Sequence, residues 1–178
     1  MKCKKGFLLL ESIVSLSLIA ILVSLLYSLL FFCLNIKNNV EDKIELQQQA
    51  LEITNYIEKV IGDSYGIINE DLSYNSKELI PVTSIKCRYR NSETIDNSIK
   101  DKEISLRKDK KKLFINTLNK LGQSEQGGYE IGDYIDNLYI AVYENGRLAK
   151  IKLELSKNNQ IYNTEFDLYI RNFEGDTT

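Results

Sequence analysis

The sequence predicts an α+β fold in which one long N-terminal helix, over about residues 7–61, packs on an antiparallel β-sheet. Two observations lead to this prediction. Neither Gly nor Pro, the main helix breakers, occurs within residues 7–61. Beyond the helix, apolar and polar residues alternate with a period of two, which is typical of strands with one buried and one solvated face.

The first half of this helix is predicted to cross a membrane. Residues 12–34 carry no charge, no Gly and no Pro. At about 1.5 Å per residue, a helical segment of this length spans roughly 34 Å, enough for a hydrocarbon core of about 30 Å. Lysines before the run favour a cytoplasmic N-terminus and an extracytoplasmic remainder. A secretory signal is less consistent with this run, because its apolar core has only about 7–15 residues and ends at a small-residue site.

The second half of the helix is predicted to pack on the sheet. Its apolar residues recur at three- and four-residue steps and form one stripe, which we interpret as core packing: Leu46, Ala50, Ile53, Ile57 and Val60. Gly62 is predicted to end the helix in the left-handed conformation. We interpret residues 47–49, three glutamines, as a solvated or subunit-facing turn. The charged residues are interpreted as a solvated face, with pairing of the first four across subunits as the alternative: Lys37, Glu41, Asp42, Lys43 and Glu45.

Six strands are predicted after the helix, separated by loops at 63–75 and 122–128. They are Val82–Tyr89 with Pro81 at its edge, Glu103–Leu106, Leu113–Leu118, Leu138–Tyr143, Leu148–Leu155, and a last strand with Tyr162, Thr164, Phe166, Leu168 and Ile170 pointing inward. Residues 108–110 and 156–159 are predicted turns. Asn145-Gly146 predicts a two-residue hairpin turn between the fourth and fifth strands.

The composition favours neither an enzyme nor a metal site. His is absent, which removes the commonest general base and metal ligand, and no phosphate-binding loop or nucleophile elbow occurs. No catalytic residue, cofactor or metal is therefore predicted. Cys3, Cys33 and Cys87 form no disulfide framework, and Cys87 is interpreted as a buried core residue. A net charge of −2 argues against direct nucleic-acid binding.

The first eleven residues contain the most informative motif. Lysines precede Gly6-Phe7, and Glu11 stands next to the uncharged run. A charged side chain at the centre of a membrane helix costs about 2.5–3.5 kcal/mol, so an acid in this region needs an explanation. One interpretation is that Glu11 extends to the interface near the positive end of the helix dipole. The other is that a cation in the same apolar layer neutralises it.

These residues resemble the type IV prepilin signal of pilins and pseudopilins. Residues 2–5 resemble its basic leader, Gly6-Phe7 its cleavage junction, and Glu11 its acid at the fifth position of the mature chain. The resemblance implies a pilin-like fold with a leader at 1–6, a transmembrane and assembly segment at 7–34 and a soluble domain at 35–178. It implies that a prepilin peptidase cuts after Gly6 and methylates the Phe7 amine. It also implies that Glu11 pairs with the Phe7 amine of a neighbouring subunit during filament assembly.

Within that family the chain is most similar to J-type minor pseudopilins and their competence-system counterparts. The glutamine-rich helix before Tyr56-Ile57 and the ending at residues 169–172 support this similarity. A major pilin is disfavoured because the membrane segment has no Pro and no cysteine pair lies near the C-terminus. Glu11 argues against the tip-type K pseudopilins, which usually lack that acid. The implied partners are other pilin or pseudopilin subunits, the prepilin peptidase, an inner-membrane assembly platform and membrane lipid.

Two other classes of protein remain as alternatives. The first is an uncleaved, single-pass membrane-anchored binding or adhesin module. The second is an anchored hydrolase, which the absence of His and of catalytic motifs disfavours. The pilin interpretation predicts a structural subunit of a type IV pilus, a type II secretion-like pseudopilus or a competence pseudopilus. Its location would be the cell membrane before assembly and the filament afterwards.

Overall fold

The structure is a computed structural model that describes residues 3–69, 77–90, 99–125 and 127–174, with side chains from Phe7 onward. The chain divides into two compact units, unit 1 at residues 1–41 and unit 2 at residues 42–178. The predicted α+β class is confirmed, because one long helix, α1 (Cys3–Gly62), precedes nine antiparallel strands in the described residues. Within unit 2, the last part of α1 packs on these strands.

The strands form two antiparallel sheets rather than the single sheet predicted. The first has the order β1-β3-β4-β5-β6 and the second has the order β2-β7-β8-β9. Their bounds are β1 (Gly66–Ile67), β2 (Ile80–Val82), β3 (Ser84–Arg88), β4 (Lys102–Arg107), β5 (Lys112–Thr117), β6 (Tyr129–Gly132), β7 (Ile135–Tyr143), β8 (Leu148–Lys157) and β9 (Gln160–Tyr169).

The predicted strand at 82–89 is confirmed only for β3 at residues 84–88, because the segment divides at Thr83 and Val82 belongs to β2. Val82 pairs with Leu138 of β7, whereas Ser84 pairs with Ser105 of β4 in the other sheet. Alternation of apolar and polar residues shows which face of a strand is buried but not which sheet the strand joins. Pro81 does lie in an edge strand, as predicted, since β2 ends its sheet.

The predicted loops contain or adjoin two short strands. Strand β1 lies inside the predicted loop at 63–75, of which residues 70–75 are outside the described part of the chain. Strand β6 follows directly after the other predicted loop at 122–128. Such short strands leave too little periodicity in the sequence to be recognised. The β4–β5 hairpin and its turn at 108–110 are confirmed.

The apolar stripe of α1 forms the centre of the core, as predicted. All five of its residues are buried, together with Ile61. The inward-facing residues of β8 are buried as well: Ala149, Ile151, Leu153 and Leu155. On β9, Leu168 is buried, and Tyr162, Thr164 and Phe166 are half-buried, which confirms their predicted inward orientation. Gly132 allows the helix to approach closely, because a Cβ there would lie 2.3 Å from Ile53 Cδ1.

The helix ends at Gly62, as predicted, but the predicted left-handed conformation of that residue is wrong. Gly62 is the last residue of α1 and does not have a positive φ. The final carbonyl groups accept hydrogen bonds from elsewhere in the fold instead: Tyr89 Oη donates to Val60 O at 2.6 Å, and Arg171 N donates to Gly62 O at 3.0 Å. Because these tertiary contacts satisfy the helix terminus, no left-handed residue is needed there.

The hairpin at Asn145-Gly146 is present, but its loop is longer than predicted. Tyr143 pairs with Leu148, so residues 144–147 form a four-residue loop that includes a short 3₁₀ turn. Asn145 has a φ of 56° and Gly146 a φ of 97°, while Glu144 is also left-handed with a φ of 52°. A two-residue loop occurs in the next hairpin, where Lys157 pairs with Gln160.

Candidate functional site

The sequence-predicted processing and assembly residues all lie in the first turns of α1. The helix begins at Cys3, so the backbone at the Gly6-Phe7 junction is helical. Phe7 is 72% exposed, and the Glu11 side chain is also exposed. Since Glu11 follows Phe7 by four residues, the two side chains lie on the same face of the helix, one turn apart.

Unit 1 presents a continuous apolar surface. Its large apolar side chains between residues 7 and 36 are 46% to 72% exposed. Removing apolar area from water gains about 25 cal/mol of free energy per Å². This surface is therefore suited to contact with lipid or with another apolar surface. By length and composition, α1 could cross a membrane, a property that it shares with secretory signal sequences.

Glu11 is the exception on this surface. Its neighbours in a shallow groove along the helix are Leu8, Ser12, Ser15, Leu16 and Ile19. The serine hydroxyl groups of this region are satisfied by the helix itself: Ser12 donates to Leu9 O at 2.9 Å and Ser15 donates to Glu11 O at 2.8 Å. Among the residues whose side chains are described, none forms an ion pair with Glu11.

Unit 2 contains a charged network that the sequence did not predict. Lys157 Nζ lies 3.1 Å from Asp42 Oδ1 and also contacts Glu45 Oε2. Asn158 donates a hydrogen bond to Asp42 Oδ2 at 2.7 Å, and Tyr134 Oη donates to Glu45 Oε1 at 2.9 Å. The interpretation of Asp42 and Glu45 as solvating charges is therefore wrong. Both acids bind the tip of the β8–β9 hairpin to α1.

The same contacts shift the titration of these groups. The hydrogen bond from Asn158 and, to a smaller extent, the one from Lys157 hold the pKa of Asp42 below its usual value. Hydrogen bonds from Lys157 and then Tyr134 do the same for the pKa of Glu45. Hydrogen bonding to Glu45 and then to Asp42 raises the pKa of Lys157. Lys157, Asp42 and Glu45 are therefore charged at neutral pH, and their contacts join the β8–β9 hairpin to α1.

The other polar residues of the second half of the helix are mostly solvated. Lys37 and Glu41 form an exposed i, i+4 pair at 3.5 Å, which contributes little to stability. Lys43 is exposed, as are the first two glutamines of 47–49. Gln49 differs because its Oε1 accepts a hydrogen bond from Asp133 N at 3.3 Å. That glutamine therefore helps to position the β6–β7 connection rather than facing solvent.

A cleft of about 390 Å³ lies at the edge of unit 2. Its lining residues are Arg90, Ile99, Lys100, Leu118, Asn119, Lys120, Leu121 and Glu125. Arg90 pairs with Asp101 at 3.0 Å, and Lys100 pairs with Glu125 at 2.6 Å. These contacts join the segment before β4 to its neighbours. They bring together no nucleophile and base of the kind that catalysis requires.

Among the described residues, Cys33 is exposed on the apolar part of α1, whereas Cys87 is buried and no cluster of metal ligands occurs. Cys87 is fully buried, as predicted, and burial raises the pKa of its thiol to about 12. A thiol with that pKa stays protonated and unreactive at neutral pH. No group of three or more His, Cys, Asp or Glu side chains that could hold a metal ion occurs in the part of the chain that is described.

The residues that sequence reasoning selected and those that it missed lie in different units. Gly6, Phe7 and Glu11 belong to unit 1, and the Lys157 network belongs to unit 2. The network could not be found from the sequence because its members come from α1, the β6–β7 connection and the β8–β9 hairpin.

No protein-family model, curated protein or solved structure matches this chain.

Proposed function

We propose that this chain is a minor pilin or pseudopilin, a structural subunit rather than an enzyme. A prepilin peptidase cuts it after Gly6 and methylates the new Phe7 amine. The mature chain then assembles through the first half of α1 into a type IV pilus, a type II secretion-like pseudopilus or a competence pseudopilus. The observation that carries this proposal is Glu11, an acid with no described ion-pair partner on an apolar, exposed helix flank.

The proposal explains why an acid is tolerated there. Cleavage after Gly6 creates an ammonium group at Phe7 in the apolar layer that contains Glu11. In a filament the Phe7 ammonium of a neighbouring subunit neutralises Glu11. Once the pair is buried, removal of one member leaves the other uncompensated, at a cost of about 3–5 kcal/mol.

The two units suit the two environments of such a subunit. The exposed apolar side chains of unit 1 can be covered by lipid before assembly and by the helices of neighbouring subunits afterwards. Unit 2 has its own buried core and supplies the folded, extracytoplasmic part. The partners of this proposal are other pilin or pseudopilin subunits, the prepilin peptidase, an inner-membrane assembly platform and membrane lipid.

Mass spectrometry of the protein from its own cells tests the proposal. We expect a chain that begins at Phe7 and carries one methyl group on its terminal amine. Expression in cells that lack a prepilin peptidase serves as the control and should give the full leader. A chain that still begins with residues 1–6 in its own cells would contradict the proposal.

A second candidate is an uncleaved, membrane-anchored binding module. The observation that favours it is that α1 begins at Cys3, so the helix runs without interruption through the Gly6-Phe7 junction into the apolar segment. In this alternative Glu11 lies at the membrane interface and needs no partner amine. Retention of the leader, together with normal membrane localisation, is the result that supports it.

A further inference from the structure

Strand β9 forms a long open edge. Among the described residues it pairs only with β8, and it ends the four-stranded sheet. The β8–β9 pairing continues without a register shift from Leu148↔Tyr169 to Lys157↔Gln160. The other side of a regular strand at a sheet edge presents unpaired N–H and C=O groups to any extended segment that approaches it.

The other sheet edges of the described residues are short or interrupted. Strand β2 has three residues and contains Pro81, which cannot donate a ladder hydrogen bond. Strand β1 has two residues, and β6 has four and shifts register against β5. Strand β9 has ten residues, contains neither Pro nor Lys and pairs with β8 without a bulge, so among the usual edge protections it has only the charges of Glu165 and Asp167. It is therefore the edge best suited to accept another strand.

The outward side chains of β9 give this edge a chemical preference. Ile161 is 74% exposed at one end and Tyr169 is 50% exposed at the other. Glu165 and Asp167 lie between them, and both are exposed. Lys150 of β8 lies 2.9 Å from Glu165 and 4.0 Å from Asp167. Lys152 stands opposite Glu165 in the strand register but pairs with Glu154 at 2.7 Å, so two lysines face three acids on this part of the sheet. The edge therefore carries an excess of negative charge between two apolar side chains.

We infer that β9 binds an extended segment of a different protein as an additional strand of this sheet. That segment carries basic side chains opposite Glu165 and Asp167 and apolar side chains opposite Ile161 and Tyr169. Main-chain hydrogen bonds supply the attachment and the alternate side chains supply the selectivity. This inference does not depend on leader cleavage or on the role of Glu11.

A second copy of this chain is a poorer occupant than a basic strand. An antiparallel pairing of two β9 strands centred on residue 165, 166 or 167 places an acid opposite an acid, and one centred on residue 164 avoids this but gains no pair of opposite charges. A parallel in-register pairing also places acids opposite acids. Like charges directly opposite each other destabilise a strand pair, whereas opposite charges stabilise it. The charge pattern thus selects a basic partner strand.

The test uses the full chain in detergent micelles and a fluorescent nine-residue peptide with blocked ends, Val-Thr-Lys-Thr-Lys-Thr-Thr-Thr-Val. When this peptide pairs antiparallel to β9, its lysines lie opposite Asp167 and Glu165. The control peptide has Glu in place of both lysines. We expect the lysine peptide to bind about tenfold more tightly, because two attractive pairs replace two repulsive ones. Hydrogen exchange should slow at the amides of β9 and not at those of β2.

Matched variants test the origin of the preference. Glu165→Gln with Asp167→Asn should abolish most of the preference for the lysine peptide. Asp109→Asn with Glu144→Gln removes the same charge from exposed turns and should leave the preference intact. Ile161→Lys adds a protective lysine to the edge and should weaken binding of the lysine peptide. Thermal unfolding of each variant shows whether its fold is retained.

Several results would overturn the inference. The inference is wrong if neither peptide binds, or if the two peptides bind equally well. It is also wrong if the Glu165→Gln, Asp167→Asn variant keeps the full preference for the lysine peptide. Slower exchange at an edge other than β9 would also overturn it. A dimer of the full chain whose β9 amides are protected without peptide would show that a second copy, rather than a basic partner, occupies this edge.

Discussion

The Nζ of Lys157 lies 3.1 Å from the Oδ1 of Asp42, which binds the tip of the β8–β9 hairpin to the part of α1 where unit 2 begins. At the other end of this part of α1, Arg171 N donates a hydrogen bond to Gly62 O. The helix segment of unit 2 is therefore attached to the strands at both ends, with the apolar stripe between them. Together with the Asp133 to Gln49 hydrogen bond and the close contact at Gly132, these polar attachments position the helix along the strands, because hydrophobic attraction by itself has no direction.

Replacement of Lys157 should loosen the hairpin tip without unfolding unit 2. Lys157→Met keeps the apolar stem but removes the charge that Asp42 and Glu45 share. We expect several-fold faster hydrogen exchange at residues 157–160 and a lower midpoint of thermal unfolding, whereas the centre of β8 stays protected. Lys110→Met, in an exposed turn, is the matched control. Equal effects of the two variants would show that the network does not hold the hairpin.

The same network predicts a dependence on pH. The pKa values of Asp42 and Glu45 are lower in the folded chain than their usual values of 3.8 and 4.5. The contribution of the two carboxylates to the stability of the fold is therefore complete at a pH above their usual pKa values. It is lost as the pH falls through their folded-state pKa values, below about 4. The pKa of Lys157 is raised on folding rather than lowered. Its contribution to the stability of the fold is therefore present at neutral pH and is lost only at strongly alkaline pH.

Unfolding midpoints of the unaltered chain and of Lys157→Met, measured from pH 7 to pH 2, check this prediction. The difference between the two proteins should be largest near neutrality and should shrink below about pH 4. A difference that stays constant over this range would mean that ionised Asp42 and Glu45 do not contribute through Lys157.

The contact between Gly132 and Ile53 predicts an effect of close packing. Gly132→Ala places a Cβ 2.3 Å from both Cγ1 and Cδ1 of Ile53, so the fold should lose about 1–3 kcal/mol of stability. Ile53→Ala removes those two atoms and by itself should cost about 2–5 kcal/mol, because Ile53 is fully buried. The double variant should lose less than the two single losses added together, because the steric clash is gone.

Chemical denaturation of the three variants measures these losses. Gly62→Ala is the matched control, since a Cβ at Gly62 would meet only Tyr169 O at 3.8 Å, an ordinary contact distance. Strictly additive losses at Gly132 and Ile53 would show that the two residues are not in repulsive contact after substitution.

Glu11 yields the prediction that bears most directly on function. Glu11→Ala should leave cleavage after Gly6 intact but reduce incorporation into filaments severely, because the Phe7 amine of the neighbouring subunit loses its partner. Glu41→Ala removes an exposed acid from the same helix and should assemble normally. Mass spectrometry measures cleavage, and quantification of the chain in sheared filaments measures assembly. Normal assembly of Glu11→Ala would reject the pairing role.

Sequence reasoning succeeded where the signal is local. The absence of Gly and Pro predicted a helix at 7–61, and the structure has it at Cys3–Gly62. The three- and four-residue spacing predicted the buried stripe, because residues on one face of a helix recur with that period. The strands β4, β5, β7, β8 and β9 were predicted for the same reason, since period two marks a half-buried strand. Processing at Gly6-Phe7 and assembly through Glu11 remain predictions.

Sequence reasoning failed where a distant residue decides the outcome. Gly62 does not need the left-handed conformation because Arg171 supplies a hydrogen bond to its carbonyl group. The segment at 82–89 divides because β7 and β4 take its two parts into different sheets. Asp42 and Glu45 are not solvating charges because Lys157 reaches them. None of these partners is marked in the local pattern.

The amino-acid sequence by itself determined the long helix, its apolar first half, its buried stripe and the alternation of the strands. Each of these follows from steric and solvation preferences of neighbouring residues, which repeat with the period of the local structure. Only the tertiary structure decided that the described strands form two sheets, how the helix ends, which acids meet Lys157, and that no other described strand pairs with the free side of β9. Those features depend on which distant segments come into contact, and a contact between distant segments leaves no periodic trace along the chain.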